Sequence, residues 1–421
     1  MSIIKKLDKI SKLNFFLIFF ILILLFRIIF LNYSLSDYPW YYEWQHVDYF
    51  IGLKQNDYSF LFSHALRNQF QFFTKLSYVI FFYFSNFLWI PKIWTIILQI
   101  VPSVTLSLVI TFLFHQKIKS MWFVTALIIF SIIPSSLSNF YQFSESHFYF
   151  QLLIIVTIFL IYEKFYGLKR FFLIVALFIC SIFNMAAITI IIFLIFVCFF
   201  ILKFCLNRKT KYLLYAISSF IILLIYYFIS YQLAVSSIIE TSSISNSSVS
   251  RSLYLIFKGF FHQNNIFLGL FISLTLLSFY LRKKNLFNFF EKNNFLFLMV
   301  LFSILIILSI SLGKVQIYDR YKDFLQITGL VSLFLFNELK LKKIFNYFLS
   351  TIVGILIFYN TLFFFDKFNK MYVERKIYDK SLDRAINSYK EDKILITSEI
   401  LDSKAKRFSF SIMRAVDNEL F

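Results

Sequence analysis

Five carboxylates could serve as a general base. Asp37, Glu43, Asp48 and Asp57 fall between the first and second long apolar runs, and Glu145 lies further on. A half-buried carboxylate with a partner can take the proton of an attacking hydroxyl. Asp37 and Asp48 are eleven residues apart, about three turns, so they share a face if that stretch is one helix. The plainer reading makes Asp37 a helix cap ahead of Pro39 and the others solvated charges. Basic candidates for gripping a phosphate are Arg67 and Lys75 in the same loop, with His64 nearby, and Arg320-Tyr321 within Asp319-Arg320-Tyr321-Lys322-Asp323. Charge-assisted hydrogen bonds from such groups stabilise a departing phosphate. The plainer reading is a cation at headgroup level. His46 and His147 add imidazoles. Glu145-Ser146-His147 with Asp37 would offer oxygen and nitrogen ligands, which leaves a divalent metal open as a cofactor. The aromatic run Tyr38, Trp40, Tyr41, Tyr42 and Trp44 suits a membrane-interface belt, with sugar stacking as the sharper alternative.

The elements that must position these residues are membrane helices. The chain has 421 residues, 60% hydrophobic and 15% charged, with mean hydropathy +0.75. Repeated apolar runs of bilayer length define a polytopic all-α bundle. The 62 Phe beside 7 Gly reflect an AT-rich bacterial genome rather than an aromatic site. A charge of +20 would suggest nucleic acid in a soluble protein. Here the basic residues sit in short loops, so they set topology and meet anionic headgroups, and nucleic acid is not expected as a partner. Cys180, Cys198 and Cys205 lie in apolar runs without metal spacing and read as core residues. No phosphate-binding glycine loop, HExxH, CxxC or serine elbow is present, which argues against an ATP-driven pump.

Taken in order, residues 1–31 hold a basic cytoplasmic stub and the first span, a retained signal anchor with Arg27 snorkelling near its outer end. Residues 32–92 form an outer loop with interfacial helices. The positive-inside rule lays 74–88 along the membrane, because a crossing there would invert every later loop. Residues 93–365 form the remaining bundle, including a hairpin of 171–181 and 185–202 around Asn184, for about eleven spans in all. Residues 366–421 make a small extracytoplasmic segment, with an amphipathic helix near 378–389 and a strand-like run at 393–397. The Ser-rich loop 242–250 is low in complexity.

A first span, a long outer loop opening on an acid, interface helices and a short outer loop with a second acid resemble the GT-C superfamily of membrane glycosyltransferases. Asp37 and Glu43 look like the acidic opening of that loop, Lys75-Leu76 like a Lys-Pro-Leu region without its proline, and Glu145 like the second acid; the resemblance implies Asp37 as the base, with Arg320 and Lys75 or Arg67 holding the departing phosphate. Asn68–Leu76, Phe140–Gln151 and Arg320-Tyr321 resemble further signatures of poorly characterised bacterial relatives. The resemblance implies a polyprenyl-phosphate-linked sugar as donor and a glycan, lipid or protein of the envelope as acceptor. It also implies inversion at the anomeric carbon and an inner-membrane location, with membrane lipids and other polysaccharide-assembly proteins as partners. The alternatives are an O-antigen or capsule polymerase, in which Arg251 and Arg320 would matter, and a lipid-linked glycan flippase or carrier.

Overall fold

The computed structural model describes residues 10–34, 37–62, 71–117, 121–134, 140, 142–238, 293–312, 322–338, 343–392 and 409–421. Every regular element among them is helical. The α-helices are α1 (Lys12–Ser34), α2 (Val47–Lys54), α3 (Phe72–Phe84), α4 (Pro91–Leu98), α5 (Ile100–Phe114), α6 (Met121–Ile132) and α7 (His147–Lys164). They continue as α8 (Gly167–Asn207), α9 (Thr210–Ile238), α10 (Asn294–Leu312), α11 (Lys322–Asn337), α12 (Lys343–Asp392) and α13 (Ser409–Asp417). Short 3-10 turns cover Tyr41–His46, Ser59–Phe62 and Phe143–Ser146.

Among the described residues, six stretches are long and apolar enough to cross a membrane: Lys12–Leu31, Pro91–Phe114, Phe143–Lys164, Gly167–Met185, Ile188–Asn207 and Ser350–Glu391. Their outward faces are apolar too. On α9, Leu214, Phe220, Ile221, Leu224, Ile225 and Phe228 are all about half exposed or more. A continuous apolar surface of that extent marks contact with lipid, and the chain is a membrane-embedded helical protein. Of the expected bundle, residues 239–292 lie outside the described residues.

Asn184 ends a helix where expected. Met185 leaves the helical region (φ −143°, ψ 87°) inside α8. The rings of Phe178 and Phe193 stack at 4.4 Å, whereas fifteen residues of straight helix would part them by about 22 Å. α8 is therefore a hairpin. At its tip a polar chain is closed among buried groups. Asn184 Nδ2 donates to the Gln151 side chain at 3.1 Å, Gln151 Nε2 to Ser181 Oγ at 2.6 Å, and Ser181 and Thr189 meet at 2.6 Å.

The two ends of the bundle differ. At one end His115 Nε2 lies 3.0 Å from the Ile10 carbonyl, Lys12 covers the Phe112 ring at 3.6 Å, and Asn337 Nδ2 donates to the Lys117 carbonyl. The end of α5 thus returns to the start of α1, so residues 37–90 stay at the other end. α3 spans only 13 residues, about 20 Å, too short for a 30 Å hydrocarbon core. Its inner face, Thr74, Lys75, Tyr78 and Phe82, is buried, while Phe84 is 85% exposed.

Over that end sits a cap with a core of its own. Trp40, Trp44, Val47, Phe50, Tyr78, Phe82 and Trp89 pack with Tyr378, Leu382, Ala385 and Ile386 of α12 and with Ile412, Ala415 and Leu420. The 4-3-1 spacing of the α12 residues gives that helix one inward stripe. α12 runs unbroken through 365–366, where the last span was expected to end. Trp44 Nε1 donates to the Tyr378 hydroxyl at 2.7 Å, which donates to the Pro39 carbonyl at 2.9 Å. Trp89 N donates to the Leu420 carbonyl at 2.8 Å. The strand-like run at 393–397 lies outside the described residues.

Candidate functional site

The site grows from the turn Tyr41–His46. Trp40 is its extended N-cap, and Glu43 Oε2 accepts the Trp40 N–H at 2.7 Å, the reciprocal half of a capping box. Glu43 Oε1 accepts Ser144 N–H at 3.2 Å, so one carboxylate ties the first loop to the turn before α7. Burial pushes the Glu43 carboxyl up, against the pull of those hydrogen bonds and the charge of Arg375. The Arg375 guanidinium, from α12, lies 4.0 Å over the Trp40 ring.

The turn delivers His46 to the face of α3. Its ring lies 5.1 Å from Tyr49 and 5.5 Å from Tyr78. Its Nδ1 is buried without a hydrogen-bond partner among the described residues. Burial and then the charge of Lys75 lower the imidazole to about 4, so it is neutral at pH 7. Lys75 is itself 1% exposed, and burial brings its ammonium down to about 8. Its Nζ is 5.6 Å from the centre of the Tyr49 ring. Tyr78 is the hub. Burial holds its hydroxyl far above the ordinary range, and the charges of Glu43 and Glu145 add to that.

From the other side come the residues at the head of α7. Glu145 keeps 19% of its side chain exposed, and its Oε2 is 4.0 Å from Nε2 of the buried His147. His147 Nδ1 lies 3.0 Å from the Ser144 carbonyl. Thr74 and Ser146 share a hydrogen bond at 2.7 Å that locks α3 onto this turn. Gln71, in the left-handed region at φ 52°, starts α3 and donates its N–H to the Asn184 carbonyl. His46 and Glu145 therefore lie beside Tyr78, with Lys75 about one turn before it on α3 and His147 next to Glu145, between cap and bundle. Chemically this is a cation of reduced basicity, an accessible carboxylate and two imidazoles. Such a set can hold an anion and relay a proton.

No protein-family model, curated protein or solved structure matches this chain. Its function must be argued from the residues themselves.

The other candidates stand apart from that group. Asp37 is exposed at the head of the loop, beside Tyr38, whose hydroxyl donates to Asp383 at 2.7 Å. Asp48 is exposed and paired with Arg414 of α13. His64, Arg67, Arg251, Arg320 and Tyr321 lie outside the described residues. Among the described residues no three His, Cys, Asp or Glu side chains come together as ligands. The expected set Asp37, Glu145 and His147 thus does not assemble among the described residues: Glu145 and His147 are neighbours and Asp37 is not brought to them.

Arg27 is a correction. It does not snorkel but is 1% exposed, because α5 and α7 close over it. Its Nη1 donates to Gln99 Oε1 at 2.8 Å and reaches the Tyr149 hydroxyl at 3.5 Å. A lone arginine inside a nineteen-residue apolar run was the available signal. Arg375 carried no comparable mark, since it sits in a stretch of mixed charge.

Proposed function

We propose that the chain is a GT-C-like glycosyltransferase of a bacterial inner membrane, moving a sugar from a polyprenyl-phosphate donor to an envelope acceptor on the outer face. About eleven spans, a cytoplasmic N-terminus and the cap on the outside complete the assignment. The observation that carries it is the grouping of His46 and Glu145 beside Tyr78, with Lys75 a turn before it and His147 next to Glu145, at the capped end. The opposite end gathers Lys12, Lys117 and Lys164 instead, as cytoplasmic ends do.

Glu145 is the base in this scheme, being the acid of the group that keeps solvent access. It takes the acceptor hydroxyl's proton as that oxygen bonds to the anomeric carbon. The bond from that carbon to the phosphate oxygen breaks, and polyprenyl phosphate leaves with the electron pair, its charge met by Lys75. One displacement inverts the anomeric centre. The test is transfer from polyprenyl-phosphate sugars by purified protein. Glu145→Gln should lower kcat at least a hundredfold, and Asp37→Asn should leave it within threefold. The opposite pattern moves the base to Asp37. A protein that hydrolyses or transfers none of a panel of such donors, while folded, ends the proposal.

A further inference from the structure

We infer that Arg27 holds the phosphate of a membrane phospholipid whose hydrocarbon chain lies in the groove between α1, α6 and α12. Three observations converge. The Arg27 guanidinium is buried beside α5 and α7, yet its Nε and Nη2 have no hydrogen-bond partner among the described residues. Among the described residues its hydrogen-bond partners are the neutral Gln99 and Tyr149. A guanidinium cannot shed its charge in a protein, and an uncompensated one within a bilayer is costly. Its position is about 6 Å inside the end of the first span, four residues before Leu31, which a lipid phosphate drawn slightly inward can reach. A basic pocket between helices near the membrane surface is the chemistry that recognises anionic headgroups.

The groove supplies the rest of the lipid. It encloses about 340 Å³, the size of a small-molecule site. Phe26, Trp122, Ile133, Gly354 and Phe365 line it, with Thr361 among its few polar groups. The groove and the guanidinium share a wall. Phe26 precedes Arg27 on α1, and Phe140, whose ring centre is 5.7 Å from the guanidinium carbon, packs in one cluster with Ile129, Ile132 and Ile133 of the groove. Gly354 keeps the groove open: a Cβ there would meet Trp122 only at 3.7 Å, so a larger side chain would fill the space without a clash at its base. The guanidinium's planar fork can meet two phosphate oxygens with its unused N–H groups.

The test reads lipid binding alone, so this inference and the transferase assignment can fail separately. Full-length protein purified in a maltoside detergent is titrated with phosphatidylglycerol, with diacylglycerol and with glycerol phosphate, followed by native mass spectrometry and thermal shift. Phosphatidylglycerol should bind and raise Tm, and neither the chain without phosphate nor the phosphate without chain should match it. Arg27→Gln should weaken that binding about ten- to hundredfold, Arg27→Lys less so, and Gly354→Leu should weaken it with the charge intact. Equal affinity for diacylglycerol, an equal shift with glycerol phosphate, or undiminished binding to folded Arg27→Gln would each overturn the inference. If Arg27→Gln does not fold, undiminished binding to both Arg27→Lys and Gly354→Leu would do so.

Discussion

Lys75 offers the sharpest quantitative test, because its cost can be turned on and off with pH. Burial lowers its ammonium from the ordinary 10.5 to about 8. The unfolded chain therefore binds more protons than the folded one between those two values. In that window stability must rise with pH. The sign follows from the two limits. Below about pH 8 Lys75 is charged in both states and the full penalty of burying that charge is present. It shrinks from pH 8 to 10.5 and vanishes above. At 1.36 kcal/mol per unit the penalty is about 3 kcal/mol, which solvent screening at the edge of the cap reduces to about 2 kcal/mol. Lys75→Met keeps the shape of the side chain and removes the titration. Unfolding of both proteins in detergent, followed from pH 7 to 11, isolates the effect, since every other group cancels in the difference. The wild type should gain about 2 kcal/mol on Lys75→Met across that range. A flat difference, or one that falls as pH rises, refutes the burial argument and with it the picture of a weakened cation in the site.

Three further outcomes follow from the packing. Gly329→Ala should destabilise the protein by about 1–3 kcal/mol, since a Cβ there would stand 2.2 Å from the Phe130 ring, which is itself buried; thermal unfolding checks it. Glu43→Ala strips the partners from the Trp40 and Ser144 N–H groups and should cost about 2–4 kcal/mol, seen as faster proteolysis of the cap with the bundle intact. Tyr378→Phe and Trp44→Phe should each cost about 1 kcal/mol, and the double variant less than their sum, because both break the one relay from Trp44 to the Pro39 carbonyl.

The helices were legible in the sequence because bilayer length and apolar runs leave little choice. The hairpin was legible too, since Asn184 interrupts an apolar run that nothing else would interrupt. The placement of α3 followed from charge parity and agrees with its 13-residue length. The site was legible only in part. Lys75 and Glu145 were marked by their chemistry, but what brings their elements together is a contact such as Thr74–Ser146, 72 residues apart along the chain. No spacing rule reports such contacts. Arg27 was misjudged for the same reason. Snorkelling is the default when one helix is viewed alone, and only the packing of α5 and α7 removes that route. The tail helix was expected, yet its inward stripe carries no label naming the first loop as its partner.

That last pairing bears on how the protein is made. Trp44 and Tyr378 are 334 residues apart. At about 5–20 residues per second, a ribosome needs on the order of 20–70 s to synthesise the chain between them. Through that time the tryptophans of the first loop exist while the surface that will cover them does not. The core they share with α12 closes only once Tyr378, Leu382 and Ile386 have been made, so assembly of the cap is a late step for reasons of chain order alone.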